Sequence, residues 1–144
     1  MAIVYFDASA FVKLVVDEDG SDLAAQLWNG CDAALSSRLA YPEVCAALAA
    51  AGRNRQLGPR DLRSARRAWD DFWAATRVVE LTDTVARRAG GLARAHALRG
   101  ADAVHLASAL AVGDPDLVVA VWDRQLGAGA HAEHLRTAPG EPET

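Results

Sequence analysis

Cysteine and lysine are scarce in this sequence, with two cysteines and one lysine among 144 residues. Cys31 and Cys45 match neither a disulfide framework nor a zinc-binding spacing. Their apolar neighbours predict buried, reduced thiols, as in proteins of the cytoplasm. A small secreted domain held together by disulfides is therefore excluded, and we expect a cytoplasmic location.

Long apolar runs and a general excess of basic residues are also missing. The longest apolar runs fall far short of the ~20 residues that a membrane span needs. Residues 1–7, MAIVYFD, lack the basic segment of a signal peptide, so we expect no targeting segment and no membrane partner. The net charge of -4 excludes a uniformly basic nucleic-acid-binding surface.

The composition fits one globular domain. Hydrophobic residues make up 51% of the chain and charged residues 24%, and a chain of this length buries most of the surface that it exposes when unfolded. We predict a single domain over residues 1–138. Residues 139–144 are rich in proline and glutamate and are predicted to form a disordered tail.

Short β-type runs alternate with helical patterns along the chain. Strands are predicted over residues 2–6, 33–36, 77–81, 117–122 and 134–137. Helices are predicted over residues 8–16, 21–30, 39–51, 59–76, 83–98, 101–112 and 124–132. This alternation predicts an α/β fold in which helices pack on both faces of a parallel sheet.

Four acidic residues have positions that suit a site at one edge of this sheet. Asp7 and Asp123 follow predicted strands directly, and parallel α/β sheets bind ligands at the carboxyl ends of their strands. Glu43 and Asp102 lie in apolar helices, where an unpaired buried carboxylate would cost several kcal/mol. A divalent cation such as Mg²⁺, which takes oxygen ligands, would offset the charge of all four.

Each of these acids, taken alone, has an ordinary structural explanation. Asp7, Asp102 and Asp123 could cap a helix or interact with its dipole. Glu43 could be a solvated helix position. The agreement of all four on one edge of the predicted sheet is what favours a metal site.

Four segments resemble, in order, the motifs of PIN-domain nucleases. These segments are residues 7–14 (DASAFVKL), 36–44 (SSRLAYPEV), 98–107 (LRGADAVHLA) and 121–126 (VWDRQL). The resemblance covers about residues 2–137. In length and motif style the chain looks most like the VapC toxins of VapBC toxin–antitoxin pairs.

The resemblance implies a PIN-like three-layer α/β/α sandwich with a central, mainly parallel sheet of four to five strands. It implies metal-dependent endonucleolytic hydrolysis of RNA with Mg²⁺ or Mn²⁺, by a homodimer that a small cognate antitoxin protein inhibits. The implied metal ligands are Asp7, Asp102 and Asp123, whereas Glu43 would bind metal or hold the attacking water. Ser9 would hydrogen-bond near Asp7 or the phosphate.

Two other functions compete with the ribonuclease. A phosphatase resembling the haloacid dehalogenases needs a second aspartate where this chain has Ser9, which disfavours it. A catalytically weak PIN-like RNA-binding or scaffold module is the alternative, because Val121 stands where the family often has Thr or Ser. The presence of all four acids favours the enzyme.

The arginines are concentrated in the middle of the sequence. Residues 52–77 contain seven arginines against three aspartates, whereas the surplus of acids lies in residues 1–51 and 100–144. These arginines could hold RNA phosphates beside an acidic site, or they could be solvated. His105 lies on the helix face of Asp102 and is predicted to be buried and hydrogen-bonded, with orientation of a carboxylate as the alternative.

Overall fold

The structure, a computed structural model, describes residues 1–140. Within these residues, five parallel strands form one central sheet. They are β1 (Ile3–Phe6), β2 (Ala33–Ser37), β3 (Arg77–Val79), β4 (Val118–Ala120) and β5 (Arg136–Ala138). Their order across the sheet is β3-β2-β1-β4-β5, and every neighbouring pair is parallel. The prediction of a parallel α/β sheet is therefore confirmed.

The helices connect successive strands. They are α1 (Ala8–Val15), α2 (Ser21–Gly30), α3 (Ala40–Arg53), α4 (Pro59–Ala74), α5 (Asp83–His96), α6 (Gly100–Val112) and α7 (Arg124–Ala132). Pro42 lies in the first turn of α3, where its missing N–H leaves no intrahelical hydrogen bond unmade. Among residues 1–140, no helix is both long and apolar enough to cross a membrane.

Two buried cores cover the two faces of the sheet. All four residues of β1 are buried, because side chains alternate between the faces and each face is covered. Ile3 and Tyr5 belong to the core formed with α5, α6 and α7. Val4 and Phe6 belong to the core formed with α1 to α4, which includes the aromatic side chains of α4. The layers are thus helix, sheet and helix.

Several features differ from the sequence-based predictions. The strand predicted over residues 77–81 ends at Val79. The strand predicted over residues 117–122 ends at Ala120, since the chain leaves the sheet after the hydrogen bond from Val121 N to Ala138 O (2.9 Å). β5 begins only at Arg136, because His134 adopts a left-handed conformation (φ 65°) in the turn after α7. The two free cysteines are half-buried rather than fully buried. Residues 141–144 lie outside the described residues, so the tail stays a prediction.

Candidate active site

The acidic site is built on the carboxyl ends of β1, the central strand, and of its neighbour β4. Asp7 directly follows β1 and caps α1, where its carboxylate accepts hydrogen bonds from Ala10 N (2.8 Å) and Ser9 Oγ (2.9 and 3.0 Å). Asp123 follows β4 after two intervening residues and caps α7, accepting from Leu126 N (2.8 Å). Both aspartates are helix caps, and both still face the same edge of the sheet.

A single open cleft of about 430 Å³ gathers the residues that the sequence singled out. Glu43, in the first turn of α3, and Asp102, in the first turn of α6, complete the set. The five predicted site residues all line this cleft: Asp7, Ser9, Glu43, Asp102 and Asp123. Elements from both faces of the sheet therefore place carboxylates around one space.

The electrostatics of this cleft favour protonation of two of its acids. Burial raises the pKa of Asp7, against the lowering effects of the nearby His105 and of the hydrogen bonds from Ala10 N and Ser9. Burial also raises the pKa of Asp102, and the neighbouring carboxylates of Asp123 and Glu43 raise it further. Crowded carboxylates of this kind are stabilised in their charged form by a cation.

The carboxylate oxygens of the cleft suit a hard divalent cation, although the acidic side chains do not surround a single metal position. Mg²⁺ prefers carboxylate and water oxygens and keeps several waters when bound. Within residues 1–140, no group of three or more His, Cys, Asp and Glu side chains is arranged to hold a metal ion as it stands. Metal binding at this cleft would therefore involve water ligands or rotation of the acidic side chains.

Comparison with known proteins identifies the family. The PIN domain family model matches residues 4–124. Over 141 residues, covering 98% of both chains, this chain is 72% identical to Ribonuclease VapC45 of Mycobacterium tuberculosis CDC 1551 / Oshkosh and to Ribonuclease VapC49 of strain H37Rv. This chain belongs to the VapC family of PIN-domain proteins.

Solved structures agree with this assignment at the level of the fold. The VapC-family chain is similar to Mycobacterium tuberculosis VapC20, a Sarcin-Ricin loop cleaving toxin (TM-score 0.66, 20% identity, 87% of this chain and 93% of that one). It is similar to PAE2754 from Pyrobaculum aerophilum (0.70, 20%, 96% and 85%). A toxin-antitoxin complex from Klebsiella pneumoniae also matches (0.62, 19%, 90% and 92%). The PIN-like sandwich is thus confirmed.

The side chain of His105 contacts two other side chains, those of Glu43 and Tyr5. It is 2% exposed, which confirms a buried, hydrogen-bonded histidine. Its Nε2 lies 2.6 Å from Oε1 of Glu43, and its Nδ1 lies 2.7 Å from the Tyr5 hydroxyl. From the sequence, burial and orientation of a carboxylate were alternatives for His105. In this VapC-family fold the buried His105 also contacts a carboxylate.

The cleft has one arginine that the sequence did not single out. Arg99 is the residue before α6, is exposed, and lines the cleft beside Asp102. The arginines of α4 do not line the cleft, and they lie exposed on the outer face of that helix. Of the two explanations for the arginines of residues 52–77, solvation therefore fits those of α4. The arginine that lies beside the acids is Arg99, which is outside that segment.

Val121 does not belong to the lining of the cleft. Its side chain is 4% exposed and is part of the core formed with α5, α6 and α7. The methyl groups of Val121 therefore contribute to packing at the position where the family often has a hydroxyl.

Proposed function

We propose that this VapC-family protein is a metal-dependent endoribonuclease that acts as the toxin of a toxin–antitoxin pair. The observation that carries the proposal is the convergence of four carboxylates, from four separate segments of the chain, on one cleft at the edge of the sheet. The names of relatives that are 72% identical support ribonuclease activity. A protein that only bound RNA would have no use for four acids facing a polyanion, which disfavours the scaffold alternative.

Each residue of the cleft has a proposed role. Asp7, Asp102 and Asp123 would hold Mg²⁺ or Mn²⁺, with Glu43 as a further ligand or as the acceptor that orients a water molecule. A divalent ion bound there would activate water and offset the charge of the scissile phosphate. Ser9 donates to both oxygens of Asp7 and so restricts its carboxylate.

The test of this function is a cleavage assay on structured RNAs with the metal-free protein. We expect hydrolysis when Mg²⁺ or Mn²⁺ is added and its loss when a chelator follows. RNA binding without cleavage at any metal concentration would instead support the scaffold alternative.

Arg99 is proposed to contact a phosphate of the RNA beside the scissile bond. Its guanidinium is a cation at the rim of an acidic cleft, where it suits the approach of a polyanion. We expect Arg99→Gln to weaken RNA binding about tenfold, since hydrogen bonds to charged groups are worth about 1.5–3 kcal/mol. The slope of log affinity against log salt concentration should become shallower by about 0.7 for single-stranded RNA.

Fluorescence anisotropy at several salt concentrations, in an Asp7→Asn background that prevents cleavage, measures both quantities. Arg63→Gln is the matched control, because Arg63 is also exposed but lies on α4 outside the cleft. Equal affinities and slopes for the two variants would remove Arg99 from the proposed interface.

We also propose a homodimer that forms through a second, apolar cleft. This cleft has a volume of about 750 Å³ and is lined by Arg38, Leu39, Tyr41, Pro42, Asp70, Trp73 and Leu81. Among the described residues, Tyr41 and Leu81 are two of the three exposed large hydrophobic side chains. Arg38 pairs with Glu80 at its rim. A patch with an apolar centre and charges of both signs is complementary to itself, as a two-fold dimer interface requires.

Leu81→Glu is expected to convert the dimer into a monomer, because it places an unpaired charge in the apolar centre of the interface. Light scattering coupled to size exclusion gives the mass of each variant. Ala128→Glu is the control, since Ala128 is exposed on α7, at the opposite edge of the sheet. A dimer that persists in Leu81→Glu, or a wild-type chain that is monomeric, contradicts this interface.

A small antitoxin protein is the proposed regulator. The similarity in fold to a chain of a toxin–antitoxin complex supports it, and the two free thiols suit the reducing cytoplasm in which such a pair would act. The reading frame next to this one should encode a small protein with a DNA-binding segment. When purified and mixed with this chain, that protein should suppress RNA cleavage, whereas continued cleavage at excess would exclude it as the antitoxin.

A further inference from the structure

The carboxylate of Glu43 is in hydrogen-bond contact with a buried histidine, His105. His105 is on α6, in the core on one face of the sheet, whereas Glu43 is on α3, which packs in the core on the other face. Their contact at 2.6 Å therefore joins the two helical layers at the edge of the sheet. Glu43 lines the cleft. Among residues 1–140, no protein group hydrogen-bonds to its second carboxylate oxygen, Oε2.

Tyr5 contacts the ring nitrogen of His105 that does not face Glu43. The Tyr5 hydroxyl is fully buried and lies 2.7 Å from Nδ1. A carboxylate only accepts hydrogen bonds, so Nε2 of His105 carries a proton and donates to Glu43. In the neutral imidazole, Nδ1 is then the acceptor for the Tyr5 hydroxyl. The order of donors is then Tyr5 to His105 to Glu43.

We infer that His105 and Tyr5 are positioning residues for Glu43, an inference that rests on the proposed ribonuclease function. His105 binds Oε1 and leaves Oε2 directed to the cleft, while Tyr5 holds the imidazole in the tautomer that donates from Nε2. Both would act through Glu43, because Tyr5 is fully buried and His105 is 2% exposed. Partners of this kind orient a metal-binding or water-binding group, and their loss typically lowers activity or metal affinity 10–100-fold.

Two substitutions of His105 separate positioning from packing. The amide nitrogen of glutamine reaches the place of Nε2, whereas that of asparagine reaches only the place of Nδ1. Both variants bury one amide in place of the imidazole. Packing alone predicts that activity follows stability in both. Positioning predicts that His105→Gln retains the donor to Glu43 and that His105→Asn loses it.

The experiment compares cleavage rates, Mn²⁺ affinity by calorimetry without RNA, and unfolding temperature. For His105→Asn we expect kcat to fall about 10–100-fold with KM for RNA unchanged, together with weaker Mn²⁺ binding. His105→Gln should stay within about threefold of the wild type in both. Tyr5→Phe should lower kcat less than His105→Asn, and the ¹⁵N shifts of His105 should report a mixture of tautomers.

Equal cleavage rates and equal Mn²⁺ affinities for the two His105 variants would overturn the inference, as would rates that follow only the unfolding temperature. A wild-type chain that cleaves no RNA would overturn the proposed function instead. In that case the Mn²⁺ affinities and the tautomer of His105 still decide whether His105 and Tyr5 position Glu43.

Discussion

Asp7→Asn eliminates RNA cleavage and leaves the metal-free protein at least as stable as the wild type at pH 7. The cleavage rate should fall by at least ~100-fold, because the variant loses a buried carboxylate at the centre of the proposed metal site. The fold should persist, because asparagine caps helices as well as aspartate does and can still accept the hydrogen bond from Ala10 N. Cleavage kinetics and urea unfolding of the same preparations measure the two effects.

The effect of Asp7→Asn on the stability of the metal-free protein depends on pH. Burial raises the pKa of Asp7 in the folded state above its ordinary value of 3.8. Its contribution to the free energy of unfolding is therefore fully present below pH 3.8 and is lost as the pH rises through the raised value. The advantage of Asp7→Asn should be absent in acid and grow towards neutral pH, a trend that unfolding curves from pH 3 to 7 would reveal.

Asp17→Asn is the matched control for Asp7→Asn. Asp17 is exposed, follows α1, and does not line the acidic cleft. We expect this variant to cleave RNA at the wild-type rate and to keep the wild-type dependence of stability on pH. Cleavage by Asp7→Asn at a rate close to that of Asp17→Asn would refute the role of Asp7.

Added Mg²⁺ or Mn²⁺ stabilises the wild-type protein against unfolding by an amount that depends on pH. An ion that binds only the folded state adds about 2.7 kcal/mol at a free concentration of 100 times its Kd. Protons compete for the same oxygens, and the pKa values of Asp7 and Asp102 are both raised. The stabilisation should therefore shrink as the pH falls through these raised values.

Thermal unfolding with and without metal, at pH 5 and pH 7.5, measures this stabilisation. Asp17→Asn should show the full increase, and the double variant Asp7→Asn/Asp102→Asn should show none. An increase in the double variant equal to that of the wild type would place the metal elsewhere on the protein. No increase in the wild type at millimolar metal would contradict a metal site altogether.

The sequence was most informative where the pattern is local. Alternation of short β-type runs with helices predicted the parallel sheet, because side-chain periodicity within one element reflects which faces of it are buried. The position of Asp7 immediately after β1, and that of Pro42 in the first turn of α3, also follow from neighbouring residues. The end of β4 was harder to predict from the sequence, because Val121 and Trp122 continue the β-type pattern after the pairing with β5 has ended.

Contacts between distant residues could not be predicted in the same way. Glu43 and His105 are 62 positions apart, and Tyr5 and His105 are 100 apart. Whether they meet depends on how α3 and α6, which pack on opposite faces, approach each other at the edge of the sheet. The same holds for Arg99, which reaches the cleft although the more numerous arginines of α4 do not.

The sequence by itself determined the fold class, the family resemblance and the identity of the acidic residues, because these depend on residue types and on spacings within single elements. Only the tertiary structure decided what surrounds each acid. It placed Glu43 against a buried histidine, left Val121 in the core, and exposed an apolar cleft around Tyr41 and Leu81. The physical reason is that burial and hydrogen-bond partners are set by the packing of the two helical layers on the sheet.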